Sequence, residues 1–127
     1  MYLHHIGYVF PYHKNKVLEK KFNKKLIDLK QNNYIYFSFS KKFNLWLEYI
    51  VPINNRSTVY KYSLKMNKGV HHYAFYTDQI NIEKNKLIKN NYILINNYKI
   101  EVPVFGGMMK TIFFFKDGNI IELIKKE

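Results

Sequence analysis

Two residue types that hold metal ions and move protons, histidine and glutamate, recur at matched places in this 127-residue chain. Residues 3–10 read Leu-His-His-Ile-Gly-Tyr-Val-Phe, and residues 70–77 read Val-His-His-Tyr-Ala-Phe-Tyr-Thr. Both run an aliphatic residue, two histidines, an apolar residue, a small residue and an aromatic. A second match closes each half. Residues 44–50 read Asn-Leu-Trp-Leu-Glu-Tyr-Ile, and residues 118–124 read Gly-Asn-Ile-Ile-Glu-Leu-Ile. His5 and His72 are therefore equivalent, and so are Glu48 and Glu122. A lone histidine on a strand is usually a satisfied polar residue, and a lone glutamate usually points to water. Two histidines and two glutamates in register are hard to ascribe to packing, because a charge buried in an apolar strand is costly unless something binds it. Imidazole and carboxylate together suit zinc, manganese, cobalt, nickel or ferrous iron. His4 and His71 are expected in supporting or surface roles.

These groups need elements to position them. A strand alternates its faces, so His5, Gly7 and Val9 share one face while His4, Ile6 and Tyr8 share the other. In the second copy His72, Ala74 and Tyr76 lie opposite His71, Tyr73 and Phe75. Each ligand histidine thus sits beside a small residue, which leaves room above the sheet. Residues 14–30, with Val17, Leu18, Phe22, Leu26, Ile27 and Leu29 at helical spacing, predict a helix. Asn81–Asn90 predicts its shorter partner. Extended segments follow each: Tyr34–Phe39 and Phe43–Val51 in the first half, Met108–Phe115 and Asn119–Lys125 in the second, the latter two joined by the Asp117-Gly118 turn. Tyr92–Ile95 and Tyr98–Val102 read as a hairpin around Asn96-Asn97. A linking helix is expected from Ser57 to Met66, capped by Ser57 and ended by Gly69. Gly106 and Gly107 read as a turn. The organisation is one domain: module 1 over about 1–55, module 2 over about 68–127, and a linker over about 57–67.

Bulk composition narrows the function. Hydrophobic content of 47% and aromatic content of 18% supply a core. The absence of cysteine excludes disulfides, thiolate ligands and a cysteine nucleophile. The formal net charge of +12 suggests nucleic acid at first, yet Arg56 is the single arginine. Arginine is the usual reader of bases and phosphates, so a solvated lysine surface is the better reading, still compatible with a phosphate-bearing small molecule. No apolar run is long enough to span a membrane, and the first ten residues lack a signal-peptide pattern. A cytoplasmic homodimer acting on a small molecule, without nucleic acid or membrane as partner, is expected.

At this point the residues resemble a known family, the vicinal oxygen chelate superfamily of glyoxalase I, extradiol dioxygenases and resistance proteins, and within it methylmalonyl-CoA epimerase. The likeness rests on Leu3-His4-His5-Ile6-Gly7, on Leu47-Glu48-Tyr49-Ile50-Val51-Pro52, on Arg56-Ser57-Thr58-Val59 leading to Gly69-Val70-His71-His72-Tyr73-Ala74-Phe75, and on Ile120-Ile121-Glu122-Leu123. It implies an α+β fold in which paired βαβββ modules form a curved, partly closed mixed sheet around a divalent ion (Co, Mn, Ni, Zn or Mg). It implies His5, Glu48, His72 and Glu122 as the ligands. It also implies abstraction of an α-proton from an acyl thioester, carried by CoA or an acyl carrier, through a metal-bound enolate, with Glu122 one candidate for the acid/base. A glyoxalase I-like lyase acting on a thiol adduct would use the same four ligand types. A non-catalytic resistance-type binding protein commonly lacks them. One departure stands out. The epimerases carry a further glutamate on the strand matching Tyr34–Phe39, and this chain has none there, so the second acid/base is either missing or replaced, with Glu48 or a tyrosine as the candidates.

Overall fold

The computed structural model describes residues 1–22, 25–65 and 69–127. Among them the chain forms eight strands and three α-helices. They gather into two compact units, one of His5–His71 and one of Met1–His4 with His72–Glu127.

The unit of His5–His71, which takes the first strand from His5 onward, runs strand, helix and three strands. β1 (Tyr2–Val9) leads through a 3-10 turn at Tyr12–Lys14 into α1 (Asn15–Lys21); β2 (Lys25–Asp28), β3 (Asn33–Ser40) and β4 (Leu45–Pro52) follow. Their order is β2-β3-β4-β1. β1 runs parallel to β4, and the other pairs are antiparallel. Asn32 and Asn44 take positive φ in the turns either side of β3, a backbone state that asparagine tolerates better than most residues.

Two corrections fall in this unit. The helix expected over residues 14–30 stops at Lys21, and Phe22 is already extended (φ −118°, ψ 126°). Residues 23 and 24 of that span lie outside the described residues. Leu26 and Ile27 belong to β2, paired to Ile35 and Tyr34, and Leu29 lies in the turn that follows. Leu18, Phe22 and Leu26 are four residues apart, which mimics a helix; for Lys25–Asp28 the tertiary pairing with β3 overrides that local spacing. The linking helix is also shorter than expected. α2 spans Tyr60–Lys65, and Met66 lies outside the described residues. The Ser57 hydroxyl accepts the Val59 N–H and donates to Asn33 Oδ1, so it shapes the approach to the helix.

The sheet of this unit has two distinct faces. Leu18 of α1 packs with Tyr36 and Val51, flanked by Phe10, Phe22, Tyr34 and Tyr49. Val9 and Ile50, on the opposite face, are covered by Val59 and Tyr62.

The other unit, which takes the fifth strand from His72 onward, repeats the plan. β5 (Gly69–Tyr76), α3 (Ile80–Lys89), β6 (Ile93–Val102), β7 (Gly107–Lys116) and β8 (Asn119–Lys126) follow one another. The order is β5-β8-β7-β6, again with the first strand parallel to the last and the rest antiparallel. α3 ends in a Schellman turn: Asn91 takes φ 68°, its N–H reaches Ile88 O, and the Tyr92 N–H reaches Leu87 O. Leu87 and Tyr92 then pack on the core of Ile80, Ile112, Phe114 and Leu123. Asp117 and Gly118 both have positive φ, as a two-residue hairpin of this sequence requires.

The hairpin expected at Asn96-Asn97 is absent. Residues 93–102 form one strand with a register shift between Leu94 and Asn96. A tight turn of that type needs positive φ at both central residues, and neither asparagine has it. The Asn97 N–H is taken by Asn96 Oδ1 instead. Gly106 (φ 99°) closes the 3-10 turn Pro103–Phe105, as expected of a turn residue. No helix among the described residues is long and apolar enough to cross a membrane.

Candidate functional site

Within the first unit, β1 and β4 lie parallel with Gly7 opposite Glu48. On the other side of β4, Phe37 is the partner of Glu48. The alternation read from the sequence holds, since His5, Gly7 and Val9 are all buried. His5 Nε2 stands 3.5 Å from Glu48 Oε2, and both residues are buried.

The second unit reproduces this pattern residue for residue. Ala74 is opposite Glu122 across β5 and β8, and Phe113 is opposite Glu122 across β8 and β7. His72 Nε2 stands 3.1 Å from Glu122 Oε1. His72 and Glu122 are also buried, and the His72 ring meets Phe113 edge-on at 5.4 Å. Tyr98 stacks on the far side of Phe113 at 6.3 Å. Each unit thus holds one such buried histidine–glutamate pair. The residues opposite each glutamate are a small one, glycine or alanine, on one neighbouring strand and a phenylalanine on the other.

The spacing bears on what these pairs can hold. Two donor atoms bound to one ion at about 2.1 Å lie about 3.0–3.4 Å apart for angles of about 90–109°. The His72–Glu122 separation falls in that range and the His5–Glu48 separation lies just above it. Nitrogen and oxygen donors of this kind fit a borderline or hard divalent cation. A carboxylate beside an imidazole is also a proton-transfer pair in its own right.

The first histidine of each His-His pair has an aromatic neighbour. His4 meets Phe105 edge-on at 4.5 Å, and His71 meets Tyr62 edge-on at 4.9 Å.

One buried polar neighbour was not anticipated. Thr111 on β7 donates its hydroxyl to Glu122 Oε2 at 2.6 Å. Its signal lay in the Asp117-Gly118 turn: counting back along both strands from a two-residue turn puts Phe113 across from Glu122 and Thr111 two residues further along the same face. Asp28 is a third buried carboxylate, but it accepts from the backbone N–H groups of Lys30 and Gln31 and from the Gln31 side chain, which makes it a turn residue.

Comparison with known proteins adds the fold. No protein-family model and no curated protein sequence matches the chain. Solved structures do. A methylmalonyl-CoA epimerase from Mycobacterium tuberculosis superposes with a TM-score of 0.76 at 14% identity, over 98% of this chain and 87% of that one. A hypothetical protein from Bacillus halodurans C-125 superposes with a TM-score of 0.74 at 23% identity, over 98% and 94%. A variant methylmalonyl-CoA epimerase from Streptomyces coelicolor, in complex with 2-nitronate-propionyl-CoA, gives a TM-score of 0.74 at 16% identity, over 98% and 93%. The chain therefore has the α+β fold of paired βαβββ modules found in vicinal oxygen chelate proteins.

Proposed function

We propose that the chain is a metal-dependent epimerase or isomerase that removes and returns an α-proton on an acyl thioester, and that His5, Glu48, His72 and Glu122 together hold its one divalent ion. The observation that carries this reading is the repetition: a buried histidine–glutamate pair stands at equivalent register positions in both modules. Chance packing does not explain two costly buried pairs at matched positions. The shared fold and the CoA thioester bound to an epimerase of that fold make an acyl thioester the first substrate class to try.

Bound there, the ion would draw electron density from the substrate carbonyl and offset the charge that grows on its oxygen as the α-proton leaves. The protein's own groups do the rest. His5 and His72 present ring nitrogens toward the carboxylates. Gly7 and Ala74 put small side chains opposite the two glutamates. Phe37 and Phe113 are the register partners of the two glutamates on the neighbouring strands. Glu122 takes the α-proton on one side. Since β3 carries Phe37 opposite Glu48 and no carboxylate, Glu48 is the group proposed for the opposite side. The cytoplasmic homodimer expected from the sequence belongs to the same proposal.

The test is α-proton exchange of methylmalonyl-CoA and of propionyl-CoA in heavy water, followed by NMR, with protein loaded with cobalt or manganese and with chelated protein. Exchange that requires the metal supports the reading. Isomerisation of a hemithioacetal thiol adduct to a thioester, with no exchange on either CoA ester, would move the protein to the glyoxalase I-like reaction.

A further inference from the structure

We infer that Thr111 is a positioning residue that fixes the Glu122 carboxylate for its ion-holding role. The inference rests on the reading above, that Glu122 is a metal ligand. The two oxygens of Glu122 are engaged on different sides: Oε1 lies 3.1 Å from His72 Nε2, and Oε2 accepts the Thr111 hydroxyl at 2.6 Å. Thr111 is 1% exposed and Glu122 6% exposed, so solvent offers Oε2 little competition. A hydroxyl donating to a carboxylate at this length is a charge-assisted hydrogen bond, stronger than a neutral one. Glutamate has three side-chain torsions to restrain, and a ligand whose second oxygen is already held loses less freedom when it binds an ion.

The internal repeat isolates the effect. In the second module Thr111 pairs with Ile124, two residues from Glu122. The equivalent place in the first module is Ile35, which pairs with Ile50, two residues from Glu48. Isoleucine has no hydroxyl to give. Threonine and isoleucine are both β-branched and suit a strand equally, so the strand itself does not call for the hydroxyl at 111. The two modules thus support their glutamates differently, and the hydroxyl at 111 fastens the second.

The measurement is calorimetric titration of cobalt(II) into the full-length, metal-stripped protein, for the unaltered chain and for Thr111→Val, Thr111→Ala and Thr111→Ser. Melting of each metal-free protein is recorded alongside. Thr111→Val and Thr111→Ala should bind cobalt about 10–100-fold more weakly, and Thr111→Ser should bind nearly as the unaltered chain does. A role in packing alone would lower the metal-free melting temperature while leaving cobalt affinity in place. That outcome, or a Thr111→Ser affinity as poor as that of Thr111→Val, overturns the inference. If the unaltered chain binds no cobalt, the metal reading of the site fails, and the inference fails with it.

Discussion

Ala74 is the register partner of Glu122 across β5 and β8, and its methyl group is fully buried. A larger side chain there would rise into the space beside the His72–Glu122 pair. Ala74→Val adds two methyl groups to a packed position, and overpacking of that size typically costs about 1–3 kcal/mol. The folded variant should also bind divalent metal at least about tenfold more weakly, because a ligand displaced by a fraction of an ångström no longer meets the ion. Thermal unfolding and a cobalt titration on the same sample separate the two effects.

Metal removal gives a second expectation. A ligand that binds only the folded state stabilises it, by about 2.7 kcal/mol at a hundredfold excess over its Kd. For a domain of this size that corresponds to roughly 10 °C in Tm. Differential scanning calorimetry before and after chelation, with elemental analysis of both samples, measures it. An unchanged Tm in a sample shown to have lost its metal counts against a structural hold on the ion.

Much of this arrangement was legible in the sequence because strands report their faces directly. The order His5, Gly7, Val9 needs only a period of two to place a histidine beside a gap, and the second copy repeats it. The pairing of each histidine with a glutamate came from the repeat alone. What escaped was local. Leu26 and Ile27 continue the spacing of α1, and only the pairing partner Tyr34–Ile35 makes them a strand. Asn96-Asn97 resembles a turn, yet the ten residues of β7 offer a partner to the whole of β6, so the chain bulges there and continues. Thr111 escaped because its importance depends on register across a hairpin, and a threonine in a strand gives no other sign.

Tyr36 illustrates a structural prediction independent of the metal. It is fully buried, and its phenol donates to Asn15 Oδ1 at 2.5 Å, tying β3 to the start of α1. Burial pushes its pKa above the ordinary tyrosine value, with Glu19 and Tyr34 adding to the rise. The folded state therefore keeps a proton that the unfolded chain releases. Stability from this group is complete below pH of about 10, the unfolded value, and is lost as pH rises through the folded value. Tyr36→Phe should cost about 0.5–1.5 kcal/mol at neutral pH through the lost hydrogen bond. It should also make stability fall less steeply above pH of about 10. Urea unfolding at neutral and alkaline pH compares the two proteins.

Glu122→Gln tests the proton-transfer role separately from the fold. The amide keeps the shape and one oxygen, and the Thr111 hydroxyl can rotate to accept from the new N–H group. The variant should stay folded and hold some metal while its α-proton exchange falls by about 10²–10⁴. Exchange rates measured with saturating metal give the answer. Full activity in this variant would transfer the role of base to Glu48.

The account stands or falls on whether both modules hold the same ion. Native mass spectrometry with elemental analysis of the unaltered chain, His5→Ala and His72→Ala measures this directly. One divalent ion per chain is expected in the unaltered protein. Loss of that ion, or at least about tenfold weaker retention, is expected in each single variant, although the two histidines come from different modules. An unaltered chain without metal, or a variant in which loss of either histidine leaves the ion bound as before, would contradict it.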